Sequence, residues 1–277
     1  NRDVLRHSYR PAILPHRQPQ INAVAGILAP SLKNETPSNI LIYGKTGTGK
    51  TAVMRYVLKR VSQRAAVIGS PIKVCYVNCR VAGTEYRVFS SLCEAVDVHV
   101  PFTGLALGEV FDRFKAGLDA SKHVFVAVLD EVDALVKMRG DVLLYELTRI
   151  NEVLRRSKAT VVGISNDLRF KEFLDPRVLS SLSEDDIVFK PYNAAELQDI
   201  LFDRAKTAFH EGVVSDGAVG LCSALAAAEH GDARRALDLL RVAGELAERE
   251  GAPKVNENHI RQAEKRIEHD RVNEALK

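Results

Sequence analysis

The residues best suited to chemistry form the run Gly44-Lys45-Thr46-Gly47-Thr48-Gly49-Lys50-Thr51, which fits Gly-x-x-x-x-Gly-Lys-Thr in full. An apolar run ending at Tyr43 precedes it, and a helical pattern follows that begins with Ala52, which we also expect to contact the nucleotide. The glycines let backbone N–H groups close around phosphates, and the helix directs its positive end at the same anion. The sequence therefore predicts a nucleotide site, with Lys50 on the outer phosphates and Thr51 on Mg²⁺. Both flanks argue against a chance glycine-rich turn.

Two carboxylates follow a second apolar run. Val124-Phe125-Val126-Ala127-Val128-Leu129 leads directly into Asp130 and Glu131. Carboxylates at the exit of a buried strand are costly unless a cation lies there, and Mg²⁺-nucleotide supplies one. We expect Asp130 to bind the metal directly or through water, and Glu131 to polarise the water that attacks the γ-phosphate. The alternative is an acidic surface turn.

A polar residue also follows the next buried run, Thr160-Val161-Val162-Gly163-Ile164-Ser165, which leads into Asn166. Parallel strands place their carboxyl ends on one edge of a sheet, so we expect Asn166 near Asp130 and Lys50. A carboxamide there can orient water and contact the terminal phosphate. Taken alone, Asn166 followed by Asp167 is also a common turn former.

The pattern along the chain predicts an α/β fold with a parallel sheet, followed by helices only. Strands are predicted over 40–43, 72–78, 124–129, 160–165 and 187–189. Helices are predicted over 18–28, 52–58, 84–96, 107–118, 141–156, 193–209, 217–230, 232–249 and 256–276. The change near Pro191 predicts a nucleotide-binding domain over 1–190 and a small all-α lid domain over 191–277. Prolines, Pro19 among them, predict that residues 1–20 hold no helix before the one at residue 18.

Composition is that of a soluble globular protein, with 277 residues of which 46% are hydrophobic and 27% charged. Up to Phe189 there are 26 basic and 20 acidic residues, and after it 13 and 16. Cys75, Cys79, Cys93 and Cys222 match neither a zinc site nor a disulfide framework, which predicts reduced core residues in an intracellular protein. No run approaches the roughly 20 apolar residues of a membrane span, so we expect no membrane partner. The chain begins at Asn1 without a methionine, as a fragment would.

One apolar stretch lacks any regular period: Asp97-Val98-His99-Val100-Pro101-Phe102-Thr103-Gly104-Leu105. Two interpretations stay open. Val98, Val100 and Phe102 could pack into the core, or the stretch could form an exposed wedge that inserts between bases.

Several motifs in this order resemble those of the AAA+ ATPases. They are Gly44 to Thr51, Leu129 to Asp133, Ile164 to Asn166, Asp175-Pro176-Arg177 and Gly231-Asp232-Ala233-Arg234-Arg235-Ala236-Leu237. Within that class the chain resembles the archaeal replication initiators, relatives of the largest eukaryotic origin recognition subunit and of its helicase loader. The family-specific parts are Tyr9-Arg10-Pro11, Leu14-Pro15-His16-Arg17, the segment from Leu174 to Leu182, and Pro191-Tyr192. The resemblance covers essentially the whole chain.

The resemblance implies roles for individual residues. Asn166 is similar to the first sensor, Arg177 to the arginine finger that acts on a neighbouring subunit's nucleotide, and Arg234 to the second sensor. Tyr192 and Arg204 resemble the lid contacts to the nucleotide; taken alone, Arg204 and Arg234 would be solvated helix arginines. Leu14, Pro15 and His16 would flank the adenine. The initiator-specific insert would lie near 84–118, with Val100, Phe102, Thr103 and Leu105 as DNA contacts.

The implied function is an ATPase, slow without a partner, that initiates DNA replication with ATP/ADP and Mg²⁺ as cofactors and the nucleotide as a conformational switch. Its implied partners are origin double-stranded DNA, a neighbouring initiator subunit and the replicative helicase, in the cytoplasm and associated with the nucleoid. The family continues into a winged-helix domain, which we expect to be missing from a chain that stops at Lys277. The alternative is a clamp-loader-like remodelling ATPase without direct DNA contact; an inert nucleotide-bound scaffold is a third interpretation.

Overall fold

The computed structural model describes residues 1–120 and 122–275. Its centre is a five-stranded parallel sheet with the order β2-β3-β4-β1-β5. The strands are β1 (Ile40–Tyr43), β2 (Ile72–Asn78), β3 (Val124–Asp130), β4 (Lys158–Ser165) and β5 (Asp185–Val188). Every residue of β3 is buried, as expected of a parallel strand covered on both faces. The predicted α/β fold with a parallel sheet is confirmed.

The described residues form two compact units. The sheet unit comprises Gln18–Gly44 and Lys50–Phe189, and the helical unit comprises Asn1–Arg17, Lys45–Gly49 and the residues from Lys190 onward. The first 17 residues and residues Lys45–Gly49 of the phosphate loop therefore belong to the same unit as the C-terminal helices, although the sequence assigns them to the sheet domain. The predicted division of the chain at residue 190 stays a prediction.

Eight α-helices belong to the described residues of the sheet unit. They are α1 (Gln18–Leu28), α2 (Lys50–Ile68), α3 (Cys79–Ala82), α4 (Glu85–Ala95), α5 (Leu107–Ala120), α6 (Val132–Arg139), α7 (Val142–Thr148) and α8 (Pro176–Leu182). Aromatic rings join α4, α5 and β3: the centroids of Phe89 and Phe111 lie 5.1 Å apart, and those of Phe114 and Phe125 lie 5.4 Å apart. The four cysteines are free and buried, as predicted.

The helical unit contains α9 (Ala194–Ala208), α10 (Asp216–Glu229), α11 (Ala233–Glu250) and α12 (Glu257–Ala275). Each begins where the sequence predicts a capping side chain. Asn193 and Glu196 form a reciprocal capping box, and Ser215, Asp232 and Asn256 accept from the N–H groups of the first turns that follow them. The predicted last helix runs to residue 276, which lies outside the described residues.

Two expectations about local structure are wrong. Arg2–Leu5 forms a 3₁₀ helix, and Pro19 is the second residue of α1, where a missing N–H costs no intrahelical bond. The helix predicted over 141–156 ends at Thr148 and is followed by a 3₁₀ turn at Ile150–Glu152. The Asp119 carboxylate accepts from the backbone N–H groups of residues 155, 156 and 157, so these residues are held outside a helix. In the described residues no helix is both long and apolar enough to cross a membrane.

Candidate nucleotide site

The phosphate loop connects β1 to α2, and its carbonyl groups have hydrogen-bond donors. The Lys50 ammonium donates to the carbonyl of Gly44 at 2.7 Å, and the Thr48 hydroxyl donates to the carbonyl of Lys45 at 2.9 Å. In a trans peptide the C=O and the next N–H point in opposite directions. The N–H groups of Lys45 and Thr46 are therefore directed away from these donors, which leaves them available to an anion.

Asp130 ends β3 and is 5% exposed. The Thr51 hydroxyl donates to its Oδ2 at 3.0 Å, the Tyr76 hydroxyl donates to the same oxygen, and the Glu131 N–H donates to Oδ1 at 3.0 Å. Burial, and next the charge of Asp130, raise the pKa of Tyr76, so its hydroxyl remains a donor. Asp130 is thus held by hydrogen bonds on both oxygens.

The oxygens of Thr51 and Asp130 fit Mg²⁺, a hard cation that takes oxygen ligands. Among the described residues there is no group of three or more His, Cys, Asp or Glu side chains that could hold a metal by themselves. A site with one carboxylate and one hydroxyl suits a magnesium ion whose other ligands are phosphate oxygens and water.

Glu131 lies in the left-handed region, with φ 54°, between β3 and α6. Its Oε1 accepts from the Asn78 carboxamide at 3.4 Å, and its Oε2 lies 3.7 Å from Arg80 Nη1. Asn78 also caps α3 by accepting from the N–H of Val81. A non-glycine residue in this conformation is strained, and such residues concentrate at functional sites. The carboxylate is therefore held at the carboxyl edge of the sheet by the end of β2.

Asn166 follows β4, whose register pairs Ile164 with Asp130. It lies two residues beyond that pair and is half-buried. Its backbone N–H donates to the Asp133 carboxylate at 3.1 Å. The sheet thus brings Asn166 to the edge where Asp130 ends β3.

In the helical unit the phosphate loop meets Arg17, which is 4% exposed. Its Nε donates to the carbonyl of Thr48 at 2.8 Å, its Nη2 donates to the carbonyl of Lys190 at 2.8 Å, and its guanidinium lies 3.6 Å from the centroid of the Tyr192 ring. A Cβ at Gly49 would lie 2.9 Å from the Tyr192 hydroxyl, and Gly49 has φ 92°. Only glycine suits this position.

The first turn of α11 also contacts the loop within the helical unit. The N–H of Ala233 donates to the carbonyl of Gly47 at 3.2 Å, and the Asp232 carboxylate lies against Gly47 where a Cβ would collide with it. Asp232 accepts from the N–H of Arg234 at 2.7 Å, and the Arg234 residue is exposed. The capping residue of α11 therefore packs directly on the loop.

The remaining lid candidates also belong to the helical unit. His16 Nε2 and Asp199 Oδ2 lie 2.9 Å apart, Leu14 and Pro15 are half-buried, and the Arg204 guanidinium lies 4.6 Å from the Tyr9 ring centroid. Burial lowers the pKa of Arg204. Their predicted contacts with adenine and nucleotide stay predictions.

Arg177 is exposed at the start of α8, in the sheet unit. Its Nε donates to Asp175 Oδ1 at 3.1 Å, and its guanidinium lies 5.7 Å from the Tyr145 ring centroid. It is therefore open to a second molecule.

The insert over residues 97–106 forms neither helix nor strand, as its lack of period indicates. Val98, Val100 and Leu105 pack against the core, whereas Phe102 is 74% exposed and Thr103 is exposed. Burial of Phe102 in the core, one of the two interpretations, is wrong. The Tyr86 hydroxyl donates to the carbonyl of Pro101 at 2.6 Å. The insert and α4 line a groove of about 690 Å³.

Four residues that contact the site were not assigned a part in it from the sequence, although some were named as helix caps or as members of a motif: Arg17, Tyr76, Asn78 and Asp232. Asn78 could have been predicted as a site residue. It is the last residue of β2 and Asn166 directly follows β4, so both lie at the carboxyl edge of the same sheet. Arg17 carries no such signal, since its partners lie 31 and 173 residues away in sequence.

A parallel sheet with a phosphate loop after β1, an Asp-Glu pair after β3 and a following helical unit defines an AAA+ ATPase. The family described as "AAA domain" matches residues 33–166, and the "Cdc6 AAA+ ATPase-type lid domain" matches residues 198–265. The chain is 55% identical over 287 residues to an ORC1-type DNA replication protein of Methanoregula boonei, covering all of this chain and 67% of the relative. The chain belongs to the ORC1-type family of AAA+ DNA replication initiators.

Solved structures agree with this assignment. The Aeropyrum pernix ORC1 protein in complex with DNA shares 52% identity at a TM-score of 0.91, with all of this chain and 72% of that chain covered. The Aeropyrum pernix ORC2 protein, solved in ADPNP–ADP complexes, shares 26% identity at a TM-score of 0.81, with 96% and 72% covered.

Proposed function

We propose that this protein binds and hydrolyses ATP with Mg²⁺, binds origin double-stranded DNA, and supports loading of the replicative helicase, with the nucleotide as a conformational switch. The observation that carries the proposal is the cluster of Thr51, Asp130 and Glu131 beside the phosphate loop. The ORC2 relative solved with ADPNP and ADP supports the choice of nucleotide. The ORC1 relative solved with DNA supports the choice of nucleic acid, and the site of action is then the archaeal cytoplasm and its nucleoid.

In the proposed reaction each residue of the site has a separate role. The loop N–H groups and Lys50 hold the phosphates. Thr51 and Asp130 would hold Mg²⁺, which would supply positive charge to the phosphate oxygens. Glu131 accepts the proton of a water whose oxygen bonds to the γ-phosphorus, while the bond from that phosphorus to the β–γ bridging oxygen breaks. Asn166 orients that water. Arg234 is the proposed second sensor.

Arg177 is the proposed arginine finger for a neighbouring subunit. Its exposure supports this role, because a cation that acts on another molecule's nucleotide must be accessible. A finger supplied by a partner is worth about 10³ to 10⁵ in rate. Turnover by the isolated protein is therefore expected to be slow.

The proposed DNA contacts are Val100, Phe102, Thr103 and Leu105. Exposure of Phe102 supports them, because a large apolar side chain that stays in solvent is available to insert at a base step. The packing of Val100 and Leu105 against the core gives the insert a fixed base.

The nucleotide arm is tested by equilibrium binding of fluorescent ATP and ADP. Lys50→Ala should lose phosphate binding, whereas Lys59→Ala, an exposed lysine of α2, should bind as the wild type does. Equal affinity in all three proteins would contradict the proposed site.

The DNA arm is tested by binding to duplex origin DNA at one fixed salt concentration. Phe102→Ala should weaken binding about tenfold, the equivalent of ~1.4 kcal/mol from one lost wedge. Val153→Ala removes another exposed apolar side chain of the sheet unit and should have no effect. If Phe102→Ala binds DNA as tightly as the control, the remodelling alternative is favoured.

A further inference from the structure

Four carbonyls of the phosphate loop accept hydrogen bonds from other groups of the protein. They belong to Gly44, Lys45, Gly47 and Thr48, and their donors are Lys50, the Thr48 hydroxyl, the Ala233 N–H and Arg17. The peptide bonds of the described residues are all trans. Each held carbonyl therefore directs the N–H of the next residue the opposite way. The donors thus orient the N–H groups that a phosphate would accept from.

Arg17 differs from the other three donors because its side chain also bonds a segment far along the chain. One guanidinium donates to the carbonyls of Thr48 and Lys190, and its central carbon lies 3.6 Å from the centroid of the Tyr192 ring. The planar fork of arginine allows two bonds in fixed directions together with a stacked face. Because the side chain is buried, these charge-assisted bonds are stronger than they would be in water. The same group therefore joins the loop to the first residues of the chain segment that leads into α9.

We propose that Arg17 is a positioning residue for the nucleotide phosphates: it holds the Thr48 carbonyl so that the Gly49 N–H is aimed into the cradle, and it links that orientation to residues 190–192. The inference rests on the proposed nucleotide binding. It adds a residue that touches no substrate and acts through the backbone of the loop. Because coupling of this kind is reciprocal, an ordered loop with bound nucleotide also favours the conformation of residues 190–192 seen here.

The test compares Arg17→Gln and Arg17→Lys with the wild type in the full chain. Loss of a charge-assisted buried bond should weaken ADP and ATP binding roughly tenfold or more in Arg17→Gln. Arg17→Lys keeps a charge that can reach one carbonyl but loses the fork and the stacked plane, so it should bind several-fold more weakly than the wild type. The matched control is Arg241→Gln, which removes an α11 arginine paired with Asp238 and Glu245. The control should bind nucleotide normally.

A second measurement separates positioning from general loss of structure. Amide hydrogen exchange without nucleotide should be faster at residues 48–49 in Arg17→Gln and unchanged in the helices of the sheet unit. In Arg241→Gln the exchange at residues 48–49 should match the wild type.

The outcomes separate failure of the positioning role of Arg17 from failure of the proposed nucleotide binding. If the wild type binds nucleotide, Lys50→Ala does not, and both Arg17 variants bind with wild-type affinity, the positioning role is overturned and the proposed function stands. If the wild type itself binds no nucleotide, the proposed function fails first. Should Arg17→Gln not fold, Arg17→Lys decides alone, and wild-type affinity in that variant overturns the inference.

Discussion

Replacement of Gly47 by alanine tests the packing of the phosphate loop in the helical unit. Gly47 has φ 69°, and an added Cβ would collide with the Asp232 carboxylate. An alanine in the left-handed region costs about 1 kcal/mol. Displacing Asp232 from the N–H groups of Arg234 and Arg235 removes the cap of α11, which costs about 1 kcal/mol more. The expected loss of unfolding free energy for Gly47→Ala is therefore about 2 kcal/mol.

Gly251→Ala separates the two contributions. Gly251 has φ 64° in the same unit, and nothing lies within 4 Å of its added Cβ, so only the backbone cost of about 1 kcal/mol should appear. Urea unfolding followed by far-ultraviolet circular dichroism measures both variants. In an Asp232→Gly background, which removes the carboxylate but retains a tolerated capping residue, the cost of Gly47→Ala should fall to that of Gly251→Ala.

The reasoning would be refuted if Gly47→Ala and Gly251→Ala destabilised the protein equally, or if Asp232→Gly gave no relief. Either result would mean that the carboxylate moves aside without loss. Affinity for ADP provides an independent check, because Gly47→Ala should weaken binding while Gly251→Ala should leave it unchanged.

Other expectations can be checked on the same protein. Glu131→Gln should lower steady-state ATP turnover at least a hundredfold, because the amide cannot accept the proton of the attacking water, and should leave ATP affinity near the wild-type value. Turnover near the wild-type rate would exclude Glu131 as the base. Tyr86→Phe removes the hydroxyl that donates to Pro101 and should weaken duplex DNA binding several-fold without change in nucleotide affinity; unchanged DNA affinity would mean that the insert holds its shape without this bond. Burial raises the pKa of the Cys75 thiol to about 11, so a thiol reagent at pH 8 should label Cys75 only after the protein unfolds. Rapid labelling of the folded protein would contradict the buried position.

Much of the sheet unit could be predicted from the sequence, because the residues that determine its strands and loops are neighbours in the chain. The apolar run of β3 and its terminal Asp130 are adjacent in the chain, and burial on both faces requires a run of that composition. The glycines and Lys50 of the phosphate loop are also adjacent in sequence. Capping residues such as Asn193 act on N–H groups within the next turn, which is why the starts of the lid helices could be predicted.

Tertiary structure decided what depends on distant partners. Helical periodicity continues past Thr148, but the Asp119 carboxylate binds the backbone N–H groups that a longer helix would use. Val100 and Phe102 have similar neighbours in sequence, yet one packs on the core and the other is exposed. Periodicity cannot separate them, because the insert follows no regular backbone geometry.

For the phosphate loop, the sequence by itself determined which residues can surround a phosphate, since that depends on glycine conformations and on the spacing to Lys50. Only the tertiary structure decided what holds the loop in shape. Arg17 and the first turn of α11 reach Thr48 and Gly47 from far along the chain, and hydrogen bonds of this kind form only after folding has brought those segments together.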